Sequence, residues 1–104
     1  MKILVLARRH GQVPIDDLRP HFTAEVQAIW DLYAQGVCRE FYTRADQPGA
    51  AILFVEAESV AGAEKALATL PLVERGLVDL DIIPLAPFTN LTRLFQVNAE
   101  AIAA

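Results

Sequence analysis

Cysteine is nearly absent from this 104-residue chain: Cys38 stands alone, which excludes an internal disulfide framework and a cysteine-based zinc site. Histidine is almost as scarce, and His10 and His21 stand too far apart for a metal-ligand spacing, so no metal is expected. Long apolar runs are missing too. The longest, Ala50 to Val55, falls far short of the roughly 20 residues a bilayer-spanning helix needs, so no membrane partner is expected. Positive charge is in deficit, nine Lys and Arg against 13 Asp and Glu, for a net charge of -4. That balance, with a pI near 5.0, argues against nucleic acid as a partner.

Apolar side chains are abundant instead. The chain is 54% hydrophobic, and its mean hydropathy of +0.31 is high for so small a domain. A chain this short forms one core and cannot easily hide all that surface, so a homo-oligomer, a dimer or larger, is expected. The opening MKILVLARRHGQ carries charge directly after its apolar run and no small-residue cleavage site, and reads as a strand rather than a signal peptide. A cytoplasmic location is the simplest expectation.

Residues 2–8 (KILVLAR) are apolar on both faces, as a central strand should be. A short turn is expected over 14–19, and Pro20 suits the first position of a helix. Phe22, Val26, Ile29 and Tyr33 then recur at spacings of 4, 3 and 4, with Trp30 widening the stripe and Gly36 closing the helix. Residues 37–44 (VCREFYTR) and 50–57 (AAILFVEA) read as two strands of a hairpin around the ADQPG turn. Ser59 caps a second helix carrying Val60, Ala63, Leu67 and Leu70. Pro71 ends it, and residues 77–85 form the last strand. The order is β-α-β-β-α-β, a ferredoxin-like α+β domain over 1–88 with a four-stranded antiparallel sheet. Both helices lie on one face. The other face is open and apolar enough for a second copy to cover. The tail, 89–104, continues the apolar series from Phe88 with Leu91, Leu94 and Phe95, which could dock on a neighbouring subunit, while its alanine-rich end is expected to fray.

With these elements in order, the chain resembles two families of the dimeric α+β barrel superfamily. The segment VEAESVAGAEKALATLPLVERGLVDLDIIPL resembles the second half of YCII-related proteins, with its Glu-Ala-x-Ser helix start, Pro break and Gly-Leu-Val strand. LYAQGVCREFY together with LATLPLV resembles muconolactone isomerase, with a Gly-x-x-Arg strand start and a Leu-Pro-Leu break. The resemblance covers about residues 1–88. It implies paired sheets facing each other across a dimer and, on the isomerase side, a proton shift in a lactone without metal or organic cofactor. The YCII side implies a His–Asp pair. His21, in RPH, falls at that family's histidine, but Leu70 stands where its aspartate would precede Pro71. On the isomerase side Arg39 matches the arginine after the glycine, and Glu25 falls on a first-helix glutamate.

Several residues are candidates for chemistry. Glu25 lies at the border of the apolar helix stripe, where partial burial could raise its pKa and suit it to exchange a proton with a carbon acid. Its bland alternative is an exposed glutamate beside His21. His21, in the first helical turn, could relay a proton or hold a carbonyl; the alternative is a surface histidine. His10 follows Arg8 and Arg9 at the end of the first strand, a cluster that could receive a carboxylate or simply be solvated. By strict alternation Arg39 shares a strand face with Phe41, and Tyr42 shares the other with Cys38 and Glu40; Arg39 could clamp an acidic ligand. Asp79 and Asp81 lie on one face of the last strand, about 6.6–7 Å apart. Their spacing would suit acid–base work across a water, but an edge strand also carries charge to discourage pairing, and Lys2 or Arg8 lies next door.

The expectation is therefore a small cofactor-free enzyme resembling muconolactone isomerase, acting on a small acidic or lactone-like metabolite. Glu25 and His21 would be catalytic, with Arg39, Tyr42 and His10 binding substrate. The alternative, motivated by Leu70, is a non-catalytic ligand-binding or assembly module of the same fold. A cofactor-independent monooxygenase is a third and weaker option.

Overall fold

The structure, a computed structural model, describes residues 1–95. Phe88, Leu91, Leu94 and Phe95, the expected docking residues, are described and exposed, whereas the alanine-rich end, expected to fray, lies outside the described residues. Four strands, β1 (Lys2–Arg9), β2 (Cys38–Thr43), β3 (Ala51–Glu56) and β4 (Val78–Pro84), form one sheet in the order β2-β3-β1-β4. Every pairing is antiparallel. This is the ferredoxin-like α+β arrangement. Four α-helices connect the strands: α1 (Ile15–Leu18), α2 (Phe22–Ala34), α3 (Val60–Leu67) and α4 (Pro71–Glu74).

Strand alternation decides which side chains meet the helices. Ile3 and Val5 of β1, with Leu53 and Val55 of β3, are buried against Leu32 of α2 and Ala63 and Leu67 of α3. A smaller cluster of Leu18, Leu72 and Val78 closes the end beneath α1 and α4. The opposite sheet face carries Leu4, Leu6, Ile52 and Phe54, all half-buried, with no element laid over them among the described residues. Local chemistry sets the boundaries. The Ser59 hydroxyl accepts a hydrogen bond from the Gly62 N–H at 3.0 Å and starts α3. Gly36, at φ 78°, reverses the chain after α2, so that the Val37 N–H reaches back to the Leu32 carbonyl at 2.9 Å.

Three local expectations need correction. Pro71 does not merely end a helix. The preceding helix stops at Leu67, and Pro71 opens α4, where its missing N–H costs nothing. The buried seam of α2 is also rotated from the expected stripe. Glu25 and Leu32 are buried, while Val26 and Trp30 are 65% and 56% exposed. Apolar side chains surround so much of this helix that periodicity alone does not choose the inward arc. The third correction is in β2, where the register shifts between Cys38 and Glu40. Cys38 pairs with Val55 and is buried under the helices, whereas Glu40 and Tyr42 oppose Phe54 and Ile52 on the open face. A one-residue irregularity flips everything beyond it, so alternation counted across it fails.

The rotated seam makes a measurable contrast. Leu32→Ala should cost about 2–5 kcal/mol in chemical denaturation, as a buried leucine does. Val26→Ala should change stability by only about 0.5 kcal/mol. The reverse order would restore the Phe22–Val26–Tyr33 stripe as the buried one.

Candidate functional site

The central strand β1 ends in Arg8 and Arg9, with His10 directly after it, against the start of β4. The His10 N–H still bonds the Leu77 carbonyl at 2.9 Å, so the ladder holds this end in register. Arg8 lies opposite Asp79 and Leu6 opposite Asp81, which puts Arg8, His10, Asp79 and Asp81 on the open face. The side chains do not pair straight across; they pair on the diagonal. The Arg8 guanidinium donates to Asp81. Nδ1 of His10 lies 2.9 and 3.0 Å from the two carboxylate oxygens of Asp79. Asp79 thereby holds the imidazole through Nδ1, and Nε2 makes no hydrogen bond among the described residues. A carboxylate in this position favours the tautomer with the proton on Nδ1, which makes Nε2 the lone-pair nitrogen.

The remaining candidates lie apart from this pair. Glu25 is only 7% exposed, and its Oε1 accepts a hydrogen bond from the Leu72 N–H at 3.1 Å. Leu72 is in the first turn of α4, which has no side-chain cap of its own. Glu25 therefore satisfies an orphan helix donor from another helix. Burial pushes its carboxyl pKa up, and the Leu72 hydrogen bond opposes that rise. His21 is half-buried in the 3-10 turn Arg19–His21 that leads into α2. Arg39 is exposed beside Lys2, Glu40 and Glu56 around a shallow depression. The Tyr42 hydroxyl donates to Glu40 Oε1 at 2.9 Å, and that bond with the neighbouring charge raises the phenol pKa. Cys38 is sealed in the core, where burial pushes its thiol pKa up, against reactivity. Among the described residues no group of three or more His, Cys, Asp or Glu could hold a metal ion. No helix among them is long and apolar enough to cross a membrane.

Among the described residues, two of the cavities lie at the charged end of the sheet and along its β2 edge. One, of about 500 Å³, lies at the His10 end and is lined by residues including Arg8, Arg9, Gln12, Asp46 and Gln47. The other, of about 330 Å³, is a groove between α2 and the β2 edge, lined by residues including Val26, Ile29, Trp30, Phe41 and Tyr42, with no carboxylate in its wall. Glu25 and His21 line neither.

The His10–Asp79 pair is the feature that sequence reasoning missed. His10 was legible as a ligand-facing residue, and Asp79 as a charge on the wet face of β4. Joining them requires the antiparallel register, which no local pattern specifies. The available signal was the matched alternation Arg8-x-His10 and Asp79-x-Asp81 on two strands expected to be neighbours.

No family model matches the chain, and no curated protein matches its sequence. Among solved structures, the fold is similar to that of 5-chloro-2-hydroxyhydroquinone dehydrochlorinase from Burkholderia phenoliruptrix AC1100, determined in complex with 2,5-dihydroxybenzoquinone. The two are 14% identical with a TM-score of 0.63, over 81% of this chain and 93% of that one. It is also similar to an antibiotic biosynthesis monooxygenase, 14% identical with a TM-score of 0.51, over 84% of this chain and all of the other. Similarity at this level establishes the shared α+β fold and leaves the chemistry to the residues.

The buried carboxyl of Glu25 gives a pH prediction. Its folded-state pKa is raised above the ordinary 4.5, so the folded chain binds this proton more tightly than the unfolded one. The stability this contributes is complete below about pH 4.5 and is lost as pH rises through the folded value. Glu25→Gln keeps an acceptor for Leu72 without the charge, so it should gain stability relative to the parent as pH rises from about 4 to 7. Glu25→Ala should be less stable than Glu25→Gln throughout that range. Denaturant titrations across it check both, and a pH-independent difference between parent and Glu25→Gln would contradict the assignment.

Proposed function

We propose that this protein is a small enzyme that moves a proton on a small acidic or lactone-like metabolite, using its own side chains and no cofactor. The observation that carries this reading is the His10–Asp79 pair on the open sheet face. An imidazole oriented through Nδ1 by a carboxylate presents Nε2 as a general base and, once protonated, as a general acid. An isomerase needs both roles, because the proton taken from one carbon is returned to another. Leu6, Ile52 and Phe54 continue the same face beyond the charged end and offer an apolar shelf for a ring. A second copy over this face would cover the shelf and exclude water from it, in keeping with the expected homo-oligomer. The resemblance to muconolactone isomerase supports the reaction class. The dehydrochlorinase and the monooxygenase, by their names, act on small organic molecules with this fold. Glu25, the base expected from helix-face placement, is taken up by the first turn of α4, and the proton-moving role passes to His10.

A second reading rests on the groove between α2 and β2. Its wall holds no carboxylate or histidine, which favours a binding or assembly role without chemistry at that place.

Proton exchange in D₂O separates the two readings. Incubation with muconolactone and related lactones should give deuterium incorporation visible by NMR. His10→Gln should slow it by about 100-fold or more, the usual scale of a lost general base. Asp79→Asn should slow it less, and Glu25→Gln should leave it near the parent rate. Exchange that survives His10→Gln and disappears with Glu25→Gln would return the base to Glu25. No exchange with any lactone would favour the binding role.

A further inference from the structure

Most of the charge at the His10 end of the sheet is already matched. Arg8 is paired with Asp81. Arg44 grips Asp46 through two hydrogen bonds of 2.9 and 2.6 Å, which hold the Asp46 carboxyl below its usual pKa. Arg9 is the exception. It is half-buried in the wall of the 500 Å³ cleft, yet no carboxylate pairs with it among the described residues. The other described cations without a carboxylate partner, Lys2, Arg39, Lys65, Arg75 and Arg93, are exposed to solvent. A partly desolvated guanidinium without a counter-ion is costly unless an anion completes it.

Arg9 is also held in place. Its Nη1 donates to the Val13 carbonyl at 3.2 Å. Its stem lies along Gly49, where a side chain's Cβ would come within 3.2 Å of Arg9 Cδ and 3.3 Å of Cγ. Only glycine leaves that channel open without displacing the arginine. The guanidinium retains further N–H donors in its planar fork, and the amides of Gln12 and Gln47 line the same cleft.

We propose that the cleft between the Gly11 loop and the β2–β3 turn is a carboxylate-binding site, with Arg9 as the residue that grips the anion and Gln12 and Gln47 beside it. The planar fork of Arg9 matches a carboxylate bidentately. Arg8 borders the cleft and shares the open face with His10, about 6.6–7 Å along the strand. By the same alternation Arg9 lies on the helix-side face with Ile3 and Val5, opposite Arg8 and His10, so the cleft and the His10–Asp79 pair are separate places on the strand. The anion site therefore stands independently of the proton-transfer reading above, and anion binding is read without turnover.

The test is an NMR titration of the full chain with benzoate and, separately, with its neutral isostere benzamide and with inorganic phosphate. Benzoate should shift the amide signals of Gly11, Gln12, Gln47 and Gly49 saturably, and benzamide should not. Arg9→Gln should weaken benzoate binding roughly tenfold or more, the scale of one charged hydrogen-bonded contact. Arg9→Lys, which keeps the charge and loses the fork, should fall between. Gly49→Ala should weaken binding with Arg9 still present. A thermal melt of each variant confirms that it is folded, and if Arg9→Gln is not, Arg9→Lys and Gly49→Ala decide the matter. Equal shifts with benzamide, shifts with phosphate and none with benzoate, or benzoate affinity unchanged in the folded variants would overturn the proposal. Benzoate binding without lactone exchange would sink the proton-transfer reading and leave the anion site standing. Exchange that proceeds normally while benzoate ignores the cleft would do the reverse.

Discussion

The architecture hangs on β1. It is paired on both sides, to β3 through Lys2–Ala7 and to β4 through Ile3–Arg9, so it fixes both directly and β2 through β3. Its inner residues, Ile3 and Val5, are fully buried against α2 and α3, while Leu4 and Leu6 carry the open face. A strand apolar on both faces can occupy only the middle of such a sheet. Its C-terminal residues are then forced to one corner, where Arg8 and His10 meet Asp81 and Asp79 on one side and Arg9 turns into the cleft on the other. The chemistry of the molecule is a consequence of where its most apolar strand stops.

The two helical faces answer to that sheet in different ways. On α3 the hydrophobic residues and the buried ones coincide, with Ala63 and Leu67 fully enclosed. On α2 they do not coincide, because a carboxylate occupies the centre of the seam. Glu25 joins α2 to the first turn of α4, and α4 packs through Leu72 against Leu18 and Val78. A buried acid is tolerated there because one of its oxygens meets a backbone donor that would otherwise be unpaired. The same placement takes the carboxylate away from solvent and from the cleft. Val26 and Trp30, rotated outward, become the wall of the apolar groove.

Much of the fold could be read directly. Each strand appeared within a residue or so of its observed limits, because hydrophobic runs bounded by Pro, Gly and Asp are strong local signals. Ser59 was legible as a cap, and Gly36 as a stop. Harder to read were features set by tertiary context: which arc of an all-round apolar helix faces inward, and where a strand slips register. At the site, His10 and the two aspartates were visible as residue types with the right alternation. A bond from these aspartates to Arg8 was legible too, and Arg8–Asp81 is that bond; the His10–Asp79 pair was not visible, because its contact runs on the diagonal of the register. The isolated charge of Arg9 was equally hidden, because it depends on Asp46 and Asp81 being taken by other arginines.

The proton-moving role depends on Asp79 holding His10 Nδ1 so that Nε2 carries the lone pair. Long-range ¹H–¹⁵N correlation spectra of the imidazole nitrogens, recorded where His10 is neutral, test it without any substrate. The proton should reside on Nδ1 in the parent chain and shift toward Nε2, the tautomer that free imidazoles favour, in Asp79→Asn. A parent spectrum already dominated by the Nε2–H form, and unchanged by Asp79→Asn, would contradict it.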